Sequence, residues 1–84
     1  MPLVKTTAIV LRSLKWGDAD RIVTVYSRDR GKIRGVARGA RRPKSRFGAA
    51  LEPFSLCRLN LFEKTGDSLF RISQVDLVRS SLRL

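Results

Sequence analysis

Eighty-four residues make one domain, and a chain this short buries only roughly 60% of the surface that its unfolded form exposes, so its core is small. At 43% hydrophobic and 30% charged, with Leu, Val, Ile and Phe spread along the whole length, it is too apolar to be a disordered basic tail. A net charge of +11 points to a polyanion as partner, either nucleic acid or an anionic membrane surface.

The opening MPLVKTTAIVL has one early Lys and a brief apolar run closed by Arg12, which is neither a secretory signal nor a membrane span. Residues 6–13, TTAIVLRS, are few and β-branched, and predict a first strand. Gly17 between Trp16 and two aspartates marks a turn, and RIVTVYS at 21–27 repeats the β-branched and aromatic enrichment as a second strand. After the turn RDRG, the segment KIRGVAR alternates: Ile33, Gly35 and Ala37 share one face, and Lys32, Arg34 and Arg38 the other. This third strand is basic on one side. A glycine in a strand or loop marks a bend or a close backbone approach; Gly35 is read first as strand curvature, and for Gly39 the two readings stand level.

Between 28 and 46 lie nine basic residues, Arg28, Arg30, Lys32, Arg34, Arg38, Arg41, Arg42, Lys44 and Arg46, against the single Asp29, so this stretch carries +8 of the +11. A run this dense repels itself and does not help a small domain fold; it is either a solvated loop or a grip on a polyanion. Beyond it, SRFGAALEPF at 45–54 predicts a turn or two of helix, capped by Ser45 and stopped by Pro53. SLCRLNLFE at 55–63 predicts a fourth strand with Cys57, Leu59 and Leu61 on one face, and KTGD at 64–67 a hairpin turn into a fifth, SLFRISQVD. In the last residues Val75, Val78 and Leu82 fall at spacings of three and four, the start of an amphipathic helix. The domain is therefore drawn at 1–78, with 79–84 the beginning of a truncated helical segment.

Five short strands with a short helix between the third and fourth is the element order of an all-β, OB-fold Greek-key barrel, with an SH3-like barrel as competitor. Catalysis has little to work with: there is no His and one Cys, and Asp18 with Asp20 is the only close acidic pair, in a turn where such residues more often set geometry or meet a neighbour such as Arg21. The same inventory lacks the ligands of an ordinary zinc site and forms no intramolecular disulfide, so the expectation is a non-enzymatic, cofactor-free protein of a reducing, cytoplasmic setting. Cys57 is read as a small core residue.

Taken in order, T-x-A-I-V-L-R-S, W-G-D-A-D-R-I-V-T, G-K-I-R-G-V-A-R-G-A-R-R-P-K-S-R and L-E-P-F-S resemble the N-terminal domain of the bacterial recombination mediator RecO over about residues 3–80. The most specific part runs from Gly31 to Ser45, where the strand glycine, the paired arginines and the proline occur together. The resemblance implies an OB-fold domain that binds single- and double-stranded DNA in DNA repair and homologous recombination, in a nucleoid-associated protein that helps load recombinase and anneals strands. It also implies a RecR-type mediator as partner, and a single-stranded-DNA-binding protein as partner only through a C-terminal part absent from these residues.

An OB barrel holds single strands by a basic face that follows phosphates and by aromatic rings on which bases stack. The candidate phosphate contacts are Lys32, Arg34 and Arg38 on the third strand and Arg41, Arg42, Lys44 and Arg46 in the loop. The stacking candidates are Trp16, Phe47 and, less strongly, Tyr26, while Phe54, Phe62 and Phe70 are read as core. A membrane surface is disfavoured because no amphipathic helix accompanies the charges. A protein-interaction module for RecR, or an RNA-binding OB domain, remains as an alternative; the physics of the loop serves RNA as well as DNA.

Overall fold

The computed structural model describes residues 3–45, 47–63 and 69–79. In them the chain forms β1 (Leu3–Trp16), β2 (Asp20–Ser27), β3 (Gly31–Ala37), a 3-10 turn (Gly48–Leu51), β4 (Leu56–Glu63) and β5 (Leu69–Arg79). The strands close into a barrel in the order β1-β2-β3-β5-β4, with β1 returning to β4. Four seams are antiparallel and one, β3 to β5, is parallel. That mixed, closed arrangement is the OB type, as the element order predicts.

β1 is long because it serves two walls. Its first half, Leu3 to Ile9, pairs with β4, and from Ala8 onward it pairs with β2. The register slips between Val10 and Arg12, so Leu11 is a bulged residue that bends the strand around the barrel. Before the bulge Thr6, Ala8 and Val10 point inward; beyond it Arg12, Leu14 and Trp16 stand opposite the outward Thr24, Ile22 and Asp20 end of β2.

The core is what period-two alternation dictates: Ala8 and Val10 from β1, Val23 and Val25 from β2, Ala37 from β3, Cys57, Leu59 and Leu61 from β4, and Phe70, Ile72 and Val75 from β5. The third and fourth strands present the faces that their alternation predicts, with Cys57 fully buried. Gly35 has a packing role. A Cβ built there would stand 2.8 Å from Ile72 Cγ1 and 3.1 Å from Cδ1, so the missing side chain makes room for Ile72 where β3 meets β5. The polar groups that the core encloses are paired: Ser27 Oγ donates to Gly31 O (2.8 Å) and accepts from the Arg30 N–H (3.0 Å), and Thr6 Oγ1 donates to Asp29 Oδ2 (3.2 Å).

The helix expected at 45–54 does not form. Among the described residues there is no α-helix, and between β3 and β4 stands only the 3-10 turn, marked by the Ala50 N–H donating to Phe47 O at 3.1 Å. The 3-10 turn occupies only Gly48–Leu51, and Pro53 with the reversal at Phe54, whose φ is +67°, stops it from continuing. Phe47, Ala50 and Leu51 instead plug the barrel as part of the core. At the other end β5 runs on through Arg79, so Val75 and Val78 lie in a strand and not at the start of a helix. The hairpin turn at 64–67 and the segment 80–84 lie outside the described residues. No helix among the described residues is long and apolar enough to cross a membrane.

Two outcomes follow from this packing. Gly35→Ala forces Ile72 and the β3–β5 seam apart and should lower unfolding free energy by about 1–3 kcal/mol in a denaturant titration, as overpacking of a filled core does. Burial pushes the Cys57 thiol up from 9.0 to about 11. The folded state thus favours the neutral thiol, and this contribution is whole below pH 9 and is lost as pH rises through 11; a Cys57→Ala variant should lack that alkaline loss when unfolding is followed across this window.

Candidate nucleic-acid interface

The outer wall of β1, β2 and β3 is built by cross-strand rows. Ile9, Tyr26 and Lys32 form one, Arg12, Thr24 and Arg34 the next, and Leu14, Ile22 and Val36 a third, continued onto β5 by Arg71 beside Val36. Trp16, opposite Asp20, stands at the end of the wall. Successive rows lie about 7 Å apart along the strands and neighbours in a row about 5 Å apart. Lys32, Arg34, Arg12 and Arg71 are exposed, as is Tyr26 at 60%. None of the outward positions of β2 and β3 between Ile22 and Val36 is a carboxylate, so the wall combines aromatic rings, cations and apolar side chains. That is the composition of a surface on which a nucleic-acid strand can stack and be neutralised.

The basic loop continues from β3. Arg38, Arg42 and Lys44 are exposed, and Arg38 and Arg42 line an open cleft of about 460 Å³ whose other side is Asp18, Ala19 and Asp20. Gly39, at φ +70°, reverses the chain there, a conformation that a side chain would strain. Its N–H donates to Asp20 Oδ1 at 2.7 Å. Asp20 thus holds the loop, while Arg21 turns to Ser13, its Nη1 donating to Ser13 Oγ at 3.1 Å.

Several residues singled out from the sequence stand differently here. Arg41 is spent on the fold: its N–H donates to Ala19 O (2.9 Å), its Nη2 to Gly17 O (2.6 Å), and its Nε is buried. Phe47 is 4% exposed and belongs to the core, so it is not a platform for bases; the apolar plug that the 3-10 turn provides needs its ring. Trp16, 56% exposed, is open to solvent, and Tyr26 is more so. Arg46 lies outside the described residues. Of the other charges in the run, Arg30 is engaged by Glu63 (3.7 Å) and lies over the Phe70 ring (5.8 Å to its centre). Arg28 lines a separate cleft with Lys5 and Arg58.

Besides Arg71 on β5, sequence reasoning missed Arg12. Simple alternation through TTAIVLRS puts it on the opposite face from Ile9, and only the bulge at Leu11 restores it to the same wall. Phe54 was also misread as core; it is 65% exposed, beside β1 through its N–H donating to Val10 O at 2.6 Å. Among the described residues no group of three His, Cys, Asp or Glu could hold a metal ion.

Comparison with known families matches residues 1–81 to the family described as recombination protein O N terminal. The DNA repair protein RecO of Anaeromyxobacter sp. (strain K) is 44% identical over 79 residues, which cover 94% of this chain and 31% of that protein. Its counterpart in Bifidobacterium longum subsp. infantis is 51% identical over 78 residues, 93% of this chain and 32% of that protein. That of Bifidobacterium animalis subsp. lactis (strain AD011) is 56% identical over 70 residues, 82% and 29% respectively. The chain spans about a third of the length of the curated relatives it matches.

The two aromatic environments separate in a melting experiment. Phe47→Ala empties part of the core and should cost about 3–5 kcal/mol, whereas Tyr26→Ala on the exposed wall should stay within roughly 1 kcal/mol of the parent.

Proposed function

The chain belongs to the family of RecO N-terminal domains, and on that footing we propose that its outer β1–β2–β3 wall and basic loop bind DNA without sequence preference. The observation that carries this is the wall itself: Tyr26 flanked by Lys32, with Arg12 and Arg34 in the next row and no carboxylate among them. The cations follow phosphates and position the strand, while Tyr26, and Trp16 at the end of the wall, offer ring faces that accept any base. Arginine predominates, which suits two-pronged contact with phosphate oxygens. No α-helix among the described residues is available to enter a major groove, and contacts to phosphates position a strand without reading its bases. Both single and double strands present the phosphates that such a surface needs.

In this reading the domain supplies the DNA contact of a protein that acts in DNA repair and homologous recombination, supporting recombinase loading and the annealing of complementary strands. A RecR-type mediator is the protein partner. Ile9, Leu11 and Phe54, exposed around the β1 bulge, are apolar side chains of the kind a protein partner covers. Contact with a single-stranded-DNA-binding protein is assigned to the part of the relatives that this chain does not span.

Fluorescence anisotropy of a labelled single-stranded oligonucleotide, titrated across a salt series, tests the assignment. With Lys32, Arg34, Arg38, Arg42 and Lys44 on phosphates, log affinity should fall against log salt with a slope of about −3.5, and of about −4 with Arg12 added. Replacing Arg34 or Arg12 by Ala should flatten the slope by about 0.7 each, and Tyr26→Ala should weaken binding by about 1–3 kcal/mol with the slope unchanged. A slope near zero sinks the electrostatic reading. A folded variant with Arg38, Arg42 and Lys44 neutralised that loses DNA yet keeps RecR separates the two partners.

A further inference from the structure

A loop of like charges should splay into solvent, yet this one is drawn back against the β1–β2 turn. Three donors of the loop converge on three oxygens of that turn: the Gly39 N–H on Asp20 Oδ1 (2.7 Å), the Arg41 N–H on Ala19 O (2.9 Å) and Arg41 Nη2 on Gly17 O (2.6 Å). Within the loop the Arg42 N–H donates to Gly39 O (3.1 Å) and the Ser45 N–H to Arg42 O (3.0 Å), so the segment from Gly39 to Ser45 is itself folded into successive turns. Arg38 and Arg42 then face the cleft, next to the turn that bears Trp16.

We propose that Asp20 and Arg41 are a latch that holds the basic loop in its DNA-binding position, so that Asp20, a carboxylate beside an anion-binding surface, favours binding. This rests on the DNA reading of the loop. The physical ground is preorganisation: a loop already ordered loses less conformational freedom when the phosphates arrive, and its cations meet them together. Coulomb's law alone says the opposite of Asp20, since a negative charge near the loop repels DNA. The two accounts therefore differ in sign.

The experiment compares the parent with Asp20→Asn and Asp20→Ala, by anisotropy with a labelled single-stranded oligonucleotide at fixed salt and by thermal melting. Asn keeps an oxygen for the Gly39 N–H and drops the charge, so D20N should bind at least as tightly as the parent. D20A drops both and should bind roughly tenfold more weakly, the equivalent of one hydrogen bond to a carboxylate. If D20A binds as tightly as D20N, Asp20 is a mere neighbouring charge and the latch is wrong. Amide hydrogen exchange in the parent gives a check that needs no variant: the Gly39 and Arg41 amides should be protected, and exchange at the unstructured rate overturns the latch. A parent that shows no salt-dependent DNA binding brings down the DNA reading and the latch with it, whereas normal parental binding with equal D20A and D20N affinities removes the latch alone.

Discussion

β1 has to belong to both walls of the barrel, and most of what is distinctive about this domain depends on how it does so. Fourteen residues in one strand cannot stay flat while pairing with β4 at one end and β2 at the other. The bulge at Leu11 supplies the bend, and because it inserts one residue it also inverts which side chains face outward. Arg12 thereby joins the row of Thr24 and Arg34, and Trp16 is carried to the turn against which the basic loop is tied. Closure of the barrel and assembly of the candidate DNA surface are one geometric event.

A chain with +11 net charge must also keep its cations from opposing the fold. The structure deals with them individually. Arg30 is paired with Glu63 and laid over Phe70, Arg21 is turned to Ser13, and Arg41 is absorbed by backbone carbonyls. Others, among them Arg12, Lys32, Arg34 and Arg71 on the wall and Arg38, Arg42 and Lys44 in the loop, are exposed, where water and salt screen their repulsion. A dense basic run in a sequence is therefore not a uniform patch in space. Among the described residues it resolves into arginines engaged by the fold and cations that present their charge to solvent.

The strands and their inner faces were legible in the sequence because alternation and β-branched enrichment are local signals: Cys57, Leu59 and Leu61, or Ile33, Gly35 and Ala37, sort themselves by parity alone. The outer face of β3 was legible for the same reason. What escaped was whatever depends on a change of parity or on a partner distant in sequence. Arg12 needed the bulge, and the part of Arg41 needed the carbonyls of Gly17 and Ala19. Phe47 looked like a ring in a basic loop, and only the need to stopper the barrel end draws it inside. The room that Gly35 leaves for Ile72 across the seam has no local signal either. The helix at 45–54 had a cap and a stop, but residues so confined between a glycine and a proline gain more from plugging the core than from a second helical turn.

The parallel seam between β3 and β5 joins only Arg34 to Leu69, Gly35 to Phe70 and Val36 to Arg71, whereas every other seam is at least twice as long. No hairpin leads into it, and its two sides are separated by the basic loop, the 3-10 turn and the whole of β4. Its partners stand 35 residues apart in the chain, a separation that only the β1–β4 seam exceeds, so closing it costs loop entropy for a return of three pairs. With three pairs to break, it is the seam that takes the fewest to part, as a sheet opening along one edge. That edge is the strand that carries Lys32 and Arg34, so a nucleic-acid strand lying across it would hold the barrel shut, and ligand occupancy and breathing of the fold would draw on the same few backbone pairs.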